Sequence, residues 1–124
     1  MDSTFEKKEK LYRAVLPRFI YDKMDGRISS AAFKDAKGLS VDRGYHRADS
    51  VVIDAMRKRL RGSIVSVTVG QCFEINAIVK YCPSPINIYH SEIHGGTDRI
   101  VLSSSQSKRL ADMVEMESVE HETE

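Results

Sequence analysis

Hydrophobic and polar residues alternate most regularly between residues 63 and 81. Val65, Val67 and Val69 are separated by serine and threonine, which is typical of a strand with one buried face. A second alternating run, at residues 73–81, predicts a second strand. A two-residue turn between them would place apolar residues of one strand opposite polar residues of the other. We therefore predict an odd-numbered connection or a bulge near residues 70–72.

Proline ends this part of the predicted sheet. Pro83 and Pro85 cannot donate to a central ladder, so the second strand must stop before them. Residues 86–94 and 99–102 are again rich in branched apolar residues, and they predict a third and a fourth strand.

Helical spacing of apolar residues predicts helices in three places. Residues 1–23 begin with a capping-box pattern, and Pro17 predicts a break near Leu16 followed by a short second turn. Residues 49–61 have one apolar stripe and end before Gly62, and residues 103–116 begin with a run of serines. Residues 24–48 contain turn signals at Asp25-Gly26 and 35–38, and they predict a long loop with one or two short strands.

Together these elements predict an α+β fold. A small antiparallel or mixed sheet of about four strands would be packed by about three helices in a single domain that spans residues 1–116. Residues 117–124 (ESVEHETE) are acidic and short, and they predict a disordered tail.

Length and charge narrow the functional classes. The chain has 124 residues, 41% of them hydrophobic, and no apolar run approaches the roughly 18 residues that a transmembrane helix needs. The charged N-terminal sequence does not fit a signal peptide, so we expect a cytoplasmic protein without a membrane partner. Residues 1–61 hold 15 Lys and Arg against 9 Asp and Glu, and residues 62–124 hold 4 against 9. This asymmetry permits an anionic partner but does not require one.

Three candidate catalytic residues stand out, namely His46, His90 and Glu92. In an extended strand His90, Glu92 and His94 share one face, so an imidazole beside a carboxylate could act as an acid–base pair. The two histidines would then lie about 13 Å apart, too far to bind one metal ion, and we predict no metal site. Only a helical turn at this position would bring them close enough.

Basic residues form two candidate binding groups. The first lies in the predicted loop and consists of Arg27, Arg43 and Arg47, and His46 lies beside Arg47. The second lies at the end of the helix at 49–61, where positive charge also complements the helix dipole; it consists of Arg57, Lys58, Arg59 and Arg61. The sequence has no phosphate-binding loop, dinucleotide fingerprint or nucleophile elbow, and we predict no cofactor.

Three short motifs carry a resemblance. They are SSAAF at 29–33, LSVDR at 39–43, and Pro85 followed by HSEI at 90–93. With these motifs the chain resembles, over about residues 11–114, a set of small uncharacterised bacterial proteins. The resemblance implies a bacterial cytoplasmic protein with a single domain, and it implies that the loop at 27–47 and the region of His90 belong to one structural unit. It implies no activity.

Three functions fit these features. The first is a binding or adaptor protein that docks onto a protein partner within a larger assembly, which fits the short chain and the lack of a complete catalytic set. The second is a small enzyme that acts on a phosphoester or nucleotide, with His46 or His90 beside Arg43 and Arg47. The third is a nucleic-acid-binding module, for which the basic cluster is short and the net charge is close to neutral.

Overall fold

The computed structural model of the chain describes residues 1–22 and 27–120. Its α-helices are α1 (Asp49–Arg57), α2 (Val69–Glu74) and α3 (Ser104–Met113), and short 3₁₀ turns cover Pro17–Phe19 and Ser30–Phe33. Its strands are β1 (Lys10–Val15), β2 (Ile20–Asp22), β3 (Arg27–Ile28), β4 (Leu39–Arg43), β5 (Ser63–Thr68), β6 (Ile78–Tyr81), β7 (His90–His94) and β8 (Glu115–Ser118).

The main sheet has six strands in the order β6-β7-β4-β1-β5-β8, and every neighbouring pair is antiparallel. Strands β2 and β3 form a separate small sheet. The predicted α+β class with an antiparallel sheet is confirmed, and the sheet is larger than the predicted four strands. None of the helices in the described residues is both long enough and apolar enough to cross a bilayer.

The prediction of an N-terminal helix is wrong, because residues 10–15 form the central strand β1. Leu11 packs into the large core on one face of the sheet, and Tyr12 packs into a second cluster on the other. A strand that is covered on both faces has apolar residues at adjacent positions and loses its alternation. The remaining spacing of Leu11, Tyr12 and Val15 then resembles that of a helix.

The predicted hairpin with a bulge near residues 70–72 is also wrong, because this segment is helix α2. The Thr68 hydroxyl accepts a hydrogen bond from Gln71 N at 3.1 Å, and the Gln71 side chain accepts one from Thr68 N at 2.9 Å. This capping box starts the helix, and the side chains of Val69 and Cys72 form its buried face. The second predicted strand is therefore shortened to β6, which pairs with β7 rather than with β5.

The C-terminal half matches the prediction more closely. Strand β7 lies within the predicted third strand, and Ser103 caps helix α3 as predicted. Residues 99–102 do not form a strand. Strand β8 reaches Ser118, two residues into the segment for which disorder is predicted, and residues 121–124 lie outside the described residues. Whether the chain is a single domain stays a prediction.

The loop predicted at residues 24–48 contains β3, a 3₁₀ turn and β4, and β4 pairs directly with β1 and β7. The strands at 27–28 and 39–43 agree with the one or two predicted there. The turn predicted at Asp25-Gly26 falls outside the described residues.

The main sheet has two distinct faces. The core face is covered by α3 and the 3₁₀ turn at Ser30–Phe33, where the buried Ser107 hydroxyl donates to Phe33 O at 3.1 Å. The opposite face, named the α1 face, is covered over β1 and β5 by α1, whose Val52 and Met56 pack against Tyr12 and Ile64. Helix α1 matches the predicted helix at 49–61 but ends four residues earlier. Beyond α1, this face continues over β4 and β7 with polar side chains.

Candidate functional site

A cleft of about 300 Å³ lies on the α1 face, between the end of α1 and the loop that leads into β7. It is named the α1–turn cleft. Strands β1 and β4 form its floor, the end of α1 forms one wall, and the loop before β7 forms the other. Its side-chain lining includes Tyr12, Ala14, Ser40, Asp42, Met56, Arg59, Leu60, Asn87 and His90.

Asp42 joins the two walls of the cleft. The register of the sheet places it opposite Tyr12 on β1 and opposite His90 on β7, so it lies on the α1 face. Its carboxylate is buried and accepts hydrogen bonds from Arg59 Nη2 at 2.6 Å and from Asn87 Nδ2 at 3.0 Å. A charge-assisted bond of this kind is stronger than a neutral one. The buried carboxylate therefore fixes the distance between the end of α1 and the loop before β7.

His90, Glu92 and His94 lie in line along β7, as predicted for an extended strand. The Glu92 carboxylate is hydrogen-bonded to His94 Nε2 at 2.8 Å, and its other oxygen lies 3.6 Å from His90 Nε2. The latter distance is too long for a hydrogen bond but short enough for an ion pair when His90 is protonated. In the described residues, no group of three or more His, Cys, Asp or Glu is arranged to hold a metal ion.

A tight turn at Ser84–Asn87, named the Pro85 turn, forms the upper edge of the cleft. The two end residues exchange backbone hydrogen bonds of 3.0 and 3.2 Å, and Pro85 occupies the second position, which its fixed φ angle favours. The Asn87 side chain fixes the turn to the sheet, because it accepts a hydrogen bond from Tyr89 N and donates one to the Asp42 carboxylate. Ile86 is at the tip, 90% exposed.

Arg43 was predicted to bind a ligand, but its side chain is fully buried on the core face. Its Nε and Nη2 donate to the Glu9 carboxylate at 2.8 and 2.9 Å, and the guanidinium also donates to Asp2 O and Thr4 O. The aromatic rings of Phe5 and Tyr45 flank it. This arginine holds the N-terminal segment against the sheet, and it lies on the opposite face from His90.

Two other predicted binding arginines make internal contacts. Arg47 donates to Gly44 O and Arg43 O and stacks on the ring of Tyr89, and burial lowers its pKa. Arg57 donates to Gly62 O at 2.6 Å and to the Ser118 hydroxyl at 2.7 Å, which ties α1 to β8.

The remaining predicted binding residues are more accessible. Arg27, Lys58 and Arg61 are exposed, and Arg59 is partly exposed beside Asp42. Three of them, Lys58, Arg59 and Arg61, follow directly after α1 and form a basic group beside the cleft.

His46 lies in a second cleft, of about 270 Å³, at the start of α1. It and Tyr45 both have positive φ angles, which are uncommon outside glycine. In this cleft the Tyr12 hydroxyl donates to Asp49, and burial followed by this hydrogen bond raises the pKa of Tyr12. Lys10 bridges Asp49 and Glu117. The structure thus brings His90 and Glu92 together but places His46 in a different cleft, and it places the Arg43 side chain on the opposite face of the sheet from His90 and Glu92.

Two residues of the cleft were not predicted from the sequence. One is Asn87, although asparagine in the fourth position of a turn that contains Pro85 is a usable signal. The other is Asp42, because its place opposite His90 depends on a strand pairing between distant segments.

No protein-family model, no curated protein and no solved structure matches this chain. The geometry of the site therefore carries the functional argument alone.

Proposed function

We propose that this protein is a binding protein that docks onto a partner protein through the Pro85 turn and the basic residues after α1. The observation that carries the proposal is the exposure of Ile86, 90% of its surface, at the tip of a turn held by several hydrogen bonds. From the resemblance we also propose that it is a bacterial protein located in the cytoplasm.

The Pro85 turn is suited to recognition because it holds an apolar side chain outward in a fixed position. Burial of an isoleucine side chain is worth about 1.5–3 kcal/mol, and this stabilisation is unused in the free protein. A turn already fixed by Asn87 loses little conformational freedom when a partner binds. Two further apolar side chains, Ile88 and Leu60, are also exposed.

The positive charge of the basic group after α1 narrows the class of partner protein. Lys58 and Arg61 are exposed, and they lie near Leu60 and Arg59, which line the cleft. An acidic surface with an apolar depression would complement both the basic group and Ile86. Such charge complementarity accelerates association and excludes partners of the wrong charge.

Site-specific photo-crosslinking in the source bacterium tests this proposal. Benzoylphenylalanine at position 86 should crosslink to one discrete protein. The same group at position 21 is the matched control, because Tyr21 is 68% exposed but lies in β2, outside the proposed surface. Addition of Lys58→Glu and Arg61→Glu should abolish the crosslink. Equal crosslinking from both positions, or none from position 86, would contradict the proposal.

A small enzyme is the second candidate function. It is favoured by the adjacency of His90 and Glu92 and by the position of His90 at the α1–turn cleft. In this proposal His90 transfers a proton to or from the substrate, with the Glu92 carboxylate beside it. Turnover of a chromogenic phosphoester should then be lost in His90→Asn and retained in His46→Asn. Equal activity of the two variants would exclude it. Nucleic-acid binding is supported only by the basic group after α1.

A further inference from the structure

We propose that the α1–turn cleft binds a small anion with an apolar body, a carboxylate or a phosphate monoester, through Arg59 and His90. This inference depends neither on a protein partner nor on a chemical reaction. It rests on the shape of the cleft, its apolar wall and the donors at its rim.

The cleft can hold a small organic molecule. Its volume of about 300 Å³ lies at the lower end of the range of ligand pockets in proteins. The wall at the end of α1 is apolar, because Met56 and Leu60 line it, and Ala14 of β1 adds an apolar side chain to the floor. Leu60 is partly exposed, so a ligand's hydrocarbon part would remove apolar surface from water there.

Arg59 supplies the charged contact. Within the described residues only its Nη2 has a hydrogen-bond partner, the Asp42 carboxylate, and the side chain is 36% exposed. The other guanidinium N–H groups are directed donors suited to a carboxylate or phosphate. The Asp42 carboxylate offsets much of the guanidinium charge, so Arg59 would hold an anion chiefly through the directed hydrogen bonds of its remaining N–H groups.

His90 supplies a second donor on the opposite wall. It lines the cleft, and its Nε2 lies 3.6 Å from Glu92, too far for a hydrogen bond, so the ring keeps an N–H donor that Glu92 does not occupy. An anion between the two walls would therefore contact Arg59 from one side and His90 from the other. Its apolar part would lie against Leu60.

Four probes separate the parts of this inference. Isovalerate and phenyl phosphate each combine an anion with an apolar body, isovaleramide is neutral, and acetate lacks the body. In ¹⁵N NMR titrations of the full chain, we expect saturable shifts at Arg59 and His90 with a Kd of roughly millimolar for one or both anionic probes, as for a fragment of this size. Saturation by isovalerate identifies carboxylates as ligands, and saturation by phenyl phosphate identifies phosphate monoesters. Isovaleramide and acetate should bind about tenfold more weakly or worse.

Variants assign the binding to the cleft. Arg59→Gln should weaken binding by about tenfold, the effect of losing a hydrogen bond between charged groups. Arg109→Gln, the same substitution at an exposed arginine of α3 on the opposite side of the sheet, should leave the Kd unchanged. If Arg59→Gln does not fold because Asp42 loses its partner, His90→Asn provides the test, with a several-fold loss expected. The inference is overturned if neither anionic probe saturates, if isovaleramide binds equally well, or if Arg109→Gln and Arg59→Gln have the same effect.

Discussion

Replacement of Arg43 by methionine tests whether this arginine is part of the fold rather than of a binding surface. The substitution keeps a long apolar stem but removes four hydrogen bonds, two of them to the Glu9 carboxylate. Glu9 would remain largely buried, with 9% of its side chain exposed and its cation gone. Removal of one partner of a buried ion pair costs about 3–5 kcal/mol. Since small domains are stable by roughly 5–15 kcal/mol, Arg43→Met should be among the most destabilising substitutions.

Urea unfolding followed by far-UV circular dichroism measures this loss. With a slope of about 2 kcal/mol per molar urea, the midpoint should fall by roughly 2 M. Arg61→Met is the matched control, because Arg61 is exposed, and its effect should stay within about 0.5 kcal/mol. The double variant Glu9→Leu/Arg43→Met should recover part of the loss, since no buried carboxylate is then left unpaired. A loss below about 1 kcal/mol for Arg43→Met, or a loss equal to that of Arg61→Met, would refute this structural role.

Three further predictions concern backbone geometry, thiol reactivity and alkaline stability. Gly62→Ala should lower the free energy of unfolding by about 1–3 kcal/mol, because Gly62 has φ +108° and an added Cβ would lie 2.5 Å from Val15 O; unchanged urea stability would contradict it. Burial raises the pKa of Cys72 to about 12, so a thiol reagent should modify only Cys82 in the native protein and both cysteines in urea. Equal rates of modification of the two cysteines in the native protein would contradict this prediction. The raised pKa of Tyr12 stabilises the fold below the unfolded pKa of about 10, and this stability should disappear as pH rises above that value. Tyr12→Phe should lose stability less steeply above about pH 10, and parallel curves for the two proteins would refute the role of Tyr12.

The elements predictable from sequence were those with an alternating pattern or a clear cap. Strand β5 lies within an alternating run although both of its faces are buried, because a serine separates its two valines, and Ser103 marks the start of α3. Strand β1 was not predictable from periodicity, because Leu11 and Tyr12 are buried on opposite faces. For α2, short apolar runs do not distinguish helix from strand. The capping-box spacing of Thr68 and Gln71 was a signal that could have corrected this assignment.

The candidate site was predictable only where it is local in sequence. His90 and Glu92 share a face because they are two positions apart on one strand. Asp42 and Arg59 could not be assigned to the same cleft as His90, since their proximity follows from the pairing of β4 with β7 and from the path of α1 across the sheet. The buried role of Arg43 was equally hidden, because its partner Glu9 comes from the N-terminal segment.

The affinity of the crosslinked partner for Ile86→Asp, compared with that for Tyr21→Asp, tests partner recognition by the Pro85 turn most directly. Both substitutions place a carboxylate at an exposed apolar position, so they match in chemistry and differ in location. The Kd, measured by calorimetry, should rise at least about tenfold for Ile86→Asp, as expected when a buried apolar contact worth 1.4 kcal/mol or more is lost. Tyr21→Asp should bind like the unmodified protein. Equal Kd values for the two variants would contradict recognition through this turn.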